Sequence, residues 1–531
     1  MTKMILDDDQ YKFEAIRMDN DGLSYSEIAN NLGVAPKTIS KFLRQKTYLE
    51  FWQKHRKPIA AGEFYDHHHN IKRAKGNKFI LTSAQNNTFV HSKFLESLER
   101  YAEHINAQII VGTFSYNLSG FQNLSKGDAE WFDNKIEKYI VDEPLELADG
   151  LVWFGELNIL PTATKPLSGL NSYVKSGSGI IPHAKVQLES LPRQKFKDPR
   201  FLYTTGAVTQ RNYIQKKSGQ KASFHHIFGA LIVEVDSKGD WFVRQLIANT
   251  DTGEFQDLDV YVNPKEVITG QTVEAINWGD IHAEKLDDVV ASVSFAGSDS
   301  MIDVLKPKFQ FVHDVLDFQS RNHHNINDPY FRYAAFVNKQ DDVEGNIDSV
   351  ISVLKSMERP FCKTVIVESN HDLALQKWLK TADYKTDPAN ALFFLKCQYN
   401  TYKSIKDNDT DFSIFEYVVK DKVPSLNVKF LKTDESFMIC GEDGIECGSH
   451  GHNGINGSRG SAQSFTRLES RSNVGHSHSA KIIDGVYQAG VTGSLCMGYN
   501  LGPTTWSHSH IVTYPNGKRT IVTIKNGKWR V

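Results

Sequence analysis

Five short segments in the second half of the chain carry side chains suited to metal and phosphate chemistry. They supply aspartate, asparagine and histidine, and nearly all of them follow a short apolar run that predicts a β-strand. In chain order the candidate residues are Asp280, His282, Asp314, Asn370, His371, Asp372, His450, His476 and His478. A single D-x-H or H-x-H pair is common on protein surfaces, but this ordered set is not expected by chance.

The residue types indicate divalent cations of the hard or borderline kind. Such cations prefer carboxylate oxygen and imidazole nitrogen, and the cysteine typical of structural zinc sites is absent from the set. One carboxylate can bridge two cations about 3.5–4 Å apart, which hold the attacking and leaving oxygens of a phosphate ester and lower the pKa of water to about 7. A nearby histidine that is not a ligand can protonate the leaving alkoxide. The set therefore predicts hydrolysis of a phosphoester.

The order of the segments resembles the calcineurin-like metallophosphoesterase superfamily, whose pattern runs D-x-H, G-D-x-x-D, G-N-H-D, H-G and G-H-x-H. The resemblance covers about the last half of the chain and implies two divalent metal ions, Mn²⁺ or alternatively Mg²⁺. The implied ligands of the first metal are Asp280, His282 and His478. Those of the second are Asn370, His450 and His476. Asp314 would bridge the metals, His371 would be the general acid or stabilise the transition state, and Asp372 would orient His371.

Two positions depart from the family pattern. His313 stands where the family has glycine before the bridging aspartate, and Ser369 stands where it has glycine before the asparagine ligand. Both changes affect backbone freedom rather than a ligand, so metal binding is still expected. His452, two residues beyond His450, is the weaker ligand candidate of that pair.

The elements that must position these residues indicate an α/β protein with several domains. A single hydrophobic core serves roughly 250–300 residues, and the chain has 531. A catalytic domain is predicted over 270–531, and the resemblance implies that it is a four-layer α/β/β/α sandwich. A second α/β domain, of unknown role, is predicted over 77–265, because "KFILTSAQ" and "AQIIVGTF" bracket a helical pattern from Lys93 to Ile105. A basic linker is expected over 61–76.

The first sixty residues predict a small helical domain. Ser24 and Glu27 fit a capping box at the start of a helix. The segment "SYSEIANNLGVAPKTISKFLRQ" resembles the helix-turn-helix of phage and bacterial regulators, in which the second helix enters the major groove of DNA. The candidate DNA contacts on that helix are Lys37, Thr38, Lys41 and Arg44. Helical hairpins of this kind also mediate protein contacts, so that alternative stays open.

Composition favours a cytoplasmic protein. No run of about 18 apolar residues predicts a membrane span, and no secretory signal is visible at the N-terminus. The five cysteines are odd in number and few, as expected for free thiols in a reducing compartment. A net charge of −2 argues against a protein that coats polyanions, although a basic stretch runs from Lys37 to Lys78.

Three features favour DNA as the substrate: the helix-turn-helix pattern, the basic stretch, and the glycine-rich segment "HGHNGINGSRGSAQS" with Arg459 beside the predicted metals. The overall layout resembles phage-encoded DNases that degrade host DNA, and distantly the SbcD-type repair nucleases. That resemblance implies a homo-oligomer in an infected bacterial cytoplasm. One alternative is a metallophosphatase or phosphodiesterase acting on a small-molecule or protein phosphoester. The other is a non-enzymatic DNA-binding or transfer protein.

Overall fold

The computed structural model describes residues 9–20, 23–44, 71–116, 131–174, 176–321, 326–442 and 444–531. The chain divides into two compact units, residues 1–70 and 71–531. The predicted division near residue 270 therefore falls inside the second unit. Of the predicted basic linker, only residues 71–76 are described.

The first unit contains three described helices: α1 (Asp9–Asn20), α2 (Tyr25–Leu32) and α3 (Pro36–Arg44). The predicted capping box is present, since Glu27 N donates to Ser24 Oγ at 3.3 Å and Ser24 N donates to the Glu27 carboxylate at 2.8 Å. Gly33 ends α2 with a φ of 66°, which favours glycine. The apolar residues buried between α2 and α3 are Ile28, Ala29, Leu32, Ile39 and Phe42.

The second unit is a mixed α/β structure. Its strands are β1 (Lys72–Arg73), β2 (Lys78–Gln85), β3 (Gln108–Phe114), β4 (Pro144–Ala148), β5 (Leu151–Phe154), β6 (Ser178–Ile181), β7 (Leu188–Leu191), β8 (Arg200–Thr204), β9 (Gly229–Val235), β10 (Trp241–Ile247), β11 (Phe255–Asp257), β12 (Val260–Val262), β13 (Val267–Ile268), β14 (Ala275–Asn277), β15 (Phe309–His313), β16 (Lys363–Val367), β17 (Val428–Leu431), β18 (Met438–Ile439), β19 (Ile445–Glu446), β20 (Arg471–Val474), β21 (Lys481–Ile483), β22 (Val486–Gln488), β23 (Ser509–Thr513) and β24 (Arg519–Thr523). Its α-helices are α4 (Ser92–Ile105), α5 (Lys217–His225), α6 (Asp288–Ala291), α7 (Met301–Leu305), α8 (Pro329–Val337), α9 (Val343–Met357), α10 (Ala374–Thr381), α11 (Ala391–Lys406), α12 (Ile414–Lys422) and α13 (Ala462–Phe465).

A six-stranded sheet carries half of the predicted site. Its order is β17-β16-β15-β14-β23-β24, in which β14 to β17 are parallel and β23 and β24 are antiparallel to their neighbours. Helices α6, α7 and α9 to α12 pack on one face around residues such as Val312 and Leu354. The other face, with Phe311 and Val365, packs against Ile445 of a second sheet. Because β14, β15 and β16 are parallel, their carboxyl ends meet at one edge, where ligands bind in α/β sheets.

An eleven-stranded sheet joins the middle of the chain to its end. Its order is β1-β4-β5-β6-β8-β7-β21-β22-β20-β19-β18, and β7 pairs with β21 through Glu189 and Lys481. A four-stranded sheet has the order β10-β9-β2-β3, with β2 and β3 parallel on either side of α4 in the chain. The predicted β–α–β unit is therefore present. Among the described residues, no helix has the length and apolarity needed to cross a bilayer.

Candidate metal centre

The predicted site residues follow the carboxyl ends of strands from two sheets. Asp280 follows β14, Asp314 directly follows β15, and Asn370 follows β16. His450 follows β19 and His476 follows β20, which are parallel neighbours in the eleven-stranded sheet. The two sheets pack face to face, so their loops bring these side chains into one place.

One group of side chains converges around Asp280, and its ligand atoms all lie within 4.8 Å of one another. Its buried members are Asp280, His282, Asp314 and His478. His478 Nε2 lies 3.1 Å from Asp280 Oδ2 and 3.1 Å from His282 Nε2. His282 Nε2 lies 3.7 Å from Asp314 Oδ2. These residues are the predicted first-metal ligands together with the predicted bridging carboxylate.

A second group shares Asp314 and contains His450 and His476, again within 4.8 Å. His450 Nε2 lies 3.3 Å from Asp314 Oδ2. Asn370 lines the same cleft as Asp314 and His476. Six of the seven predicted metal ligands therefore fall in two groups that share Asp314, and Asn370 lines the cleft beside them.

The donor atoms of the cluster fit divalent cations. Asp280 Oδ1, Asp314 Oδ1 and Asn370 Oδ1 are buried and have no hydrogen-bond partner among the described residues. Buried polar atoms are nearly always paired, and a bound ion is one way to satisfy such a set. Gly475 supports the arrangement, since a Cβ there would lie 2.3 Å from Asp280 Oδ1. The cluster could therefore bind metal through oxygen and imidazole nitrogen.

The backbone around the cluster is strained. Four of the seven predicted ligands have left-handed backbone angles: φ is 49° at His282, 43° at Asp314, 75° at His476 and 57° at His478. Non-glycine residues adopt this region in only a few per cent of cases. Strained residues are common at functional sites, where the surrounding structure stabilises the backbone conformation that directs each side chain.

Asp317 positions the cluster, although it was not among the predicted site residues. Its Oδ1 lies 2.9 Å from His282 Nδ1, which leaves His282 Nε2 directed at the cluster. The Nδ1–H of His371 donates to the backbone oxygen of Asp317 at 3.1 Å. A metal-binding histidine commonly donates its other N–H to a carboxylate, which fixes its tautomer and orientation. Asp317 is the second aspartate of the G-D-x-x-D pattern, so the motif itself contained the signal.

Asp372 has contacts that differ from the role predicted for it. Its carboxylate accepts from Leu316 N at 3.1 Å and from Ser369 Oγ at 2.8 Å, rather than from His371. The hydrogen bonds therefore do not show Asp372 orienting His371. The His371 ring donates to the backbone oxygen of Asp317 instead. Ser369, the departure from the family glycine, holds Asp372 in place.

Two further residues support the cluster from outside. His313 Nδ1 lies 3.4 Å from His450 Nδ1, on the side of that ring away from Asp314. The Glu284 carboxylate accepts from the backbone N–H groups of Asp317 at 2.8 Å and Phe318 at 2.9 Å, which fixes the loop that carries Asp317. Neither role could be found from spacing, since both contacts join separate loops.

The charges of the cluster interact strongly. Burial opposes ionisation of Asp314, but His450 and then His371 hold its pKa well below the usual value. Burial disfavours the cationic form of His450, but Asp314 raises the pKa to about 9. The pKa of His371 is raised because Asp314 and Asp317 outweigh its burial. Burial, and then Asp314, raise the pKa of Asp372 to about 7.

An open cleft of about 590 Å³ gives access to the cluster. Asp314, His371 and Arg459 line it, and Tyr499 and Trp506 form part of its wall. Of the residues predicted to contact DNA, Arg459 therefore lies beside the cluster. The other candidates lie on α3 of the first unit, where Lys37 and Lys41 are exposed, Thr38 is half-buried and the side chain of Arg44 is outside the described residues.

The fold and the site define a mixed α/β protein with a buried aspartate and histidine cluster that could bind metal. No protein-family model matches the chain, and no solved structure matches it. The chain is 46% identical over 484 residues to Protein A1 of Escherichia phage T5, a match that covers 89% of this chain and 86% of that protein. The chain therefore belongs to the family of this phage protein.

Proposed function

We propose that the protein is a metal-dependent DNase of the calcineurin-like metallophosphoesterase superfamily. The observation that carries the proposal is Asp314, a buried carboxylate shared by two groups of ligand atoms beside an open cleft. The two groups hold six of the seven residues that the superfamily pattern assigns to two metals, and the seventh, Asn370, lines the same cleft. Two divalent cations, Mn²⁺ in our proposal, would polarise a phosphodiester and activate water for its hydrolysis.

The chain's own residues suit the rest of the reaction. His371 lines the cleft beside Asp314. Because its Nδ1–H is bound to the Asp317 carbonyl, its Nε2 is free of that bond and can carry a proton to a leaving alkoxide. Arg459 on the cleft wall can pair with a neighbouring phosphate of a nucleic-acid backbone.

Several finer features belong to the same proposal. The second unit would be a four-layer α/β/β/α sandwich, and the helices of the first unit would be a helix-turn-helix that binds DNA through α3. Kinship with a phage protein supports action on host DNA in an infected bacterial cytoplasm. The resemblance to SbcD-type nucleases supports a homo-oligomer.

Cleavage of supercoiled plasmid tests the proposal. Purified protein is incubated with Mn²⁺, Mg²⁺ or EDTA beside the variants Asp314→Asn and His371→Gln. We expect metal-dependent nicking that falls at least about 100-fold in both variants, since Asp314 would bridge the metals and His371 would protonate the leaving alkoxide. Asp411→Asn is the matched control, because Asp411 is exposed and pairs only with Lys432 among the described residues.

The other outcomes separate the alternatives. Hydrolysis of an aryl phosphate with DNA left intact would replace the DNase with a phosphatase or phosphodiesterase of a smaller or protein substrate. DNA binding at moderate salt without hydrolysis of either substrate would indicate a non-enzymatic DNA-binding protein.

A further inference from the structure

One wall of the cleft is aromatic and has no part in the ligand set. The centroid of the Trp506 ring lies 4.2 Å from that of His478 at an interplanar angle of 69°, and 5.9 Å from that of Tyr499. The Tyr499 ring in turn lies 6.4 Å from the His371 ring. Both aromatic rings line the cleft. They therefore stand beside the ligand cluster and beside the proposed proton donor.

Contacts from the predicted middle domain, 77–265, hold the aromatic wall of the cleft in place. The backbones of Arg193 and Thr504 form an antiparallel bridge, with N–O distances of 3.0 and 2.9 Å. The buried guanidinium of Arg193 also donates to the backbone oxygen of Trp506 at 2.9 Å. On the other side, Ser507 N donates to the backbone oxygen of His478 at 3.0 Å. The Trp506 backbone is thus fixed from both directions.

The side chain of Trp506 is not fixed by a polar contact. No hydrogen bond from its indole N–H is found within the described part of the chain, and the ring is only partly buried. A phosphate backbone gains nothing from an aromatic face, whereas every nucleobase has a π-face that stacks on one without regard to sequence. Polar side chains, among them Arg459 and Ser461, also line the cleft.

We propose that Trp506 and Tyr499 form a platform for one nucleobase next to the scissile phosphodiester, and that Arg193 positions this platform. The inference rests on the proposed DNase function. The base must leave the stack of its neighbours in order to reach the platform, so the site engages DNA that is locally unstacked. Trp506 and Tyr499 would select unstacked DNA rather than a base sequence. Arg193, which lies in the predicted middle domain, gives that domain a role in the nuclease.

A thermodynamic cycle on a defined substrate tests the platform. The substrate is a single-stranded oligonucleotide with one cleavable phosphodiester among methylphosphonate linkages, with or without an abasic residue on its 5′ or 3′ side. For the wild type with Mn²⁺, we expect one of the two abasic substrates to lose about 5- to 150-fold in kcat/KM, the range of base stacking on an aromatic ring. Trp506→Leu is expected to lose a similar factor on the intact substrate and to become insensitive to the abasic residue.

Conservative and matched variants complete the design. Trp506→Phe should keep most of the base sensitivity, and Arg193→Met should lose it through misplacement of Trp506. Trp131→Leu is the control, since Trp131 is equally aromatic but is not among the residues that line the cleft.

Three outcomes would overturn the platform. The first is an abasic penalty that persists unchanged in Trp506→Leu, because the two losses would then be independent. The second is a fall in Mn²⁺ affinity in Trp506→Leu by the same factor as its kcat/KM, which would make the ring a packing partner of His478. The third is failure of the wild type to cleave the intact oligonucleotide while it still cleaves supercoiled plasmid, which would remove the platform and leave the proposed DNase standing; failure on both substrates would remove the DNase as well.

Discussion

Substitution of Gly475 by alanine is a steric test of the metal centre that leaves every ligand in the sequence. A Cβ at this position would lie 2.3 Å from Asp280 Oδ1, whereas ordinary contact begins at 3.4 Å. The carboxylate would therefore have to retreat by 3.4 − 2.3 = 1.1 Å. Gly475 does not have a left-handed backbone, so alanine is compatible with its φ angle and the clash is the main effect.

The expected loss follows from the tolerance of metal coordination. Ligand distances at a metal vary by only about 0.2 Å, so a shift of 1.1 Å removes Asp280 from the first group. Loss of a residue that merely supports a ligand costs about 10- to 100-fold in metal affinity. We expect Gly475→Ala to weaken Mn²⁺ binding by at least about 100-fold, with DNA cleavage reduced at low Mn²⁺.

Isothermal titration with Mn²⁺ measures the affinity, and circular dichroism checks that the fold is retained. Gly345→Ala is the matched control, because its Cβ would meet only the flexible Asp342 carboxylate at 2.9 Å in the first turn of α9. It should bind Mn²⁺ as the wild type does. Wild-type Mn²⁺ affinity in folded Gly475→Ala would refute Asp280 as a ligand.

Further predictions concern the residues and ions that support the centre. Asp317→Asn should weaken Mn²⁺ binding about 10- to 100-fold by titration, because the amide no longer accepts a charge-assisted bond from His282; unchanged affinity would remove Asp317 from the site. Mn²⁺ should raise the melting temperature, and EDTA should reverse the rise, if metal binds the folded protein alone. Arg244→Met should cost about 3–5 kcal/mol in denaturant unfolding, since it leaves the buried Asp257 without its cation and Glu234 with Lys78 alone. Burial works against ionisation of Asp257, yet Arg244 keeps its pKa below the usual value, so the stability from this pair should be present above about pH 4 and be lost as pH falls further.

The positions of the candidate ligands could be predicted because each of these residues lies within a few residues of a strand end. Asp314 directly follows β15, and Asn370 lies three residues beyond the end of β16, so an apolar run in the sequence locates them. Asp317 could also have been predicted, because it too lies within a few residues of the end of β15. The contact of His313 with His450 could not be predicted, since it joins loops of two different sheets. The same limit applies to Asp372, whose partners Leu316 and Ser369 depend on how two loops pack.

The pairing of strands from distant parts of the chain could not be predicted from the sequence either. Nothing local in the sequence indicates that β7 and β21 are neighbours in a sheet. Their pairing through Glu189 and Lys481 connects segments almost 300 residues apart, so residues 71–531 form one compact unit. The predicted domain boundary near residue 270 was placed by the motifs with candidate site residues. The hydrogen bonds between strands do not follow that boundary.

This continuity explains how a region without catalytic motifs can affect the metal centre. His476 and His478 follow β20, which pairs with β22, and β22 leads through β21 to β7 of the middle region. The left-handed angles at these two histidines are costly, and such strain persists only where the surrounding structure holds it. Since β7 and Arg193 both belong to the middle region, that region supplies part of the support for the His476–His478 loop and for Trp506 beside it. The geometry of the candidate metal cluster in the last half of the chain therefore depends on the packing of the residues before it.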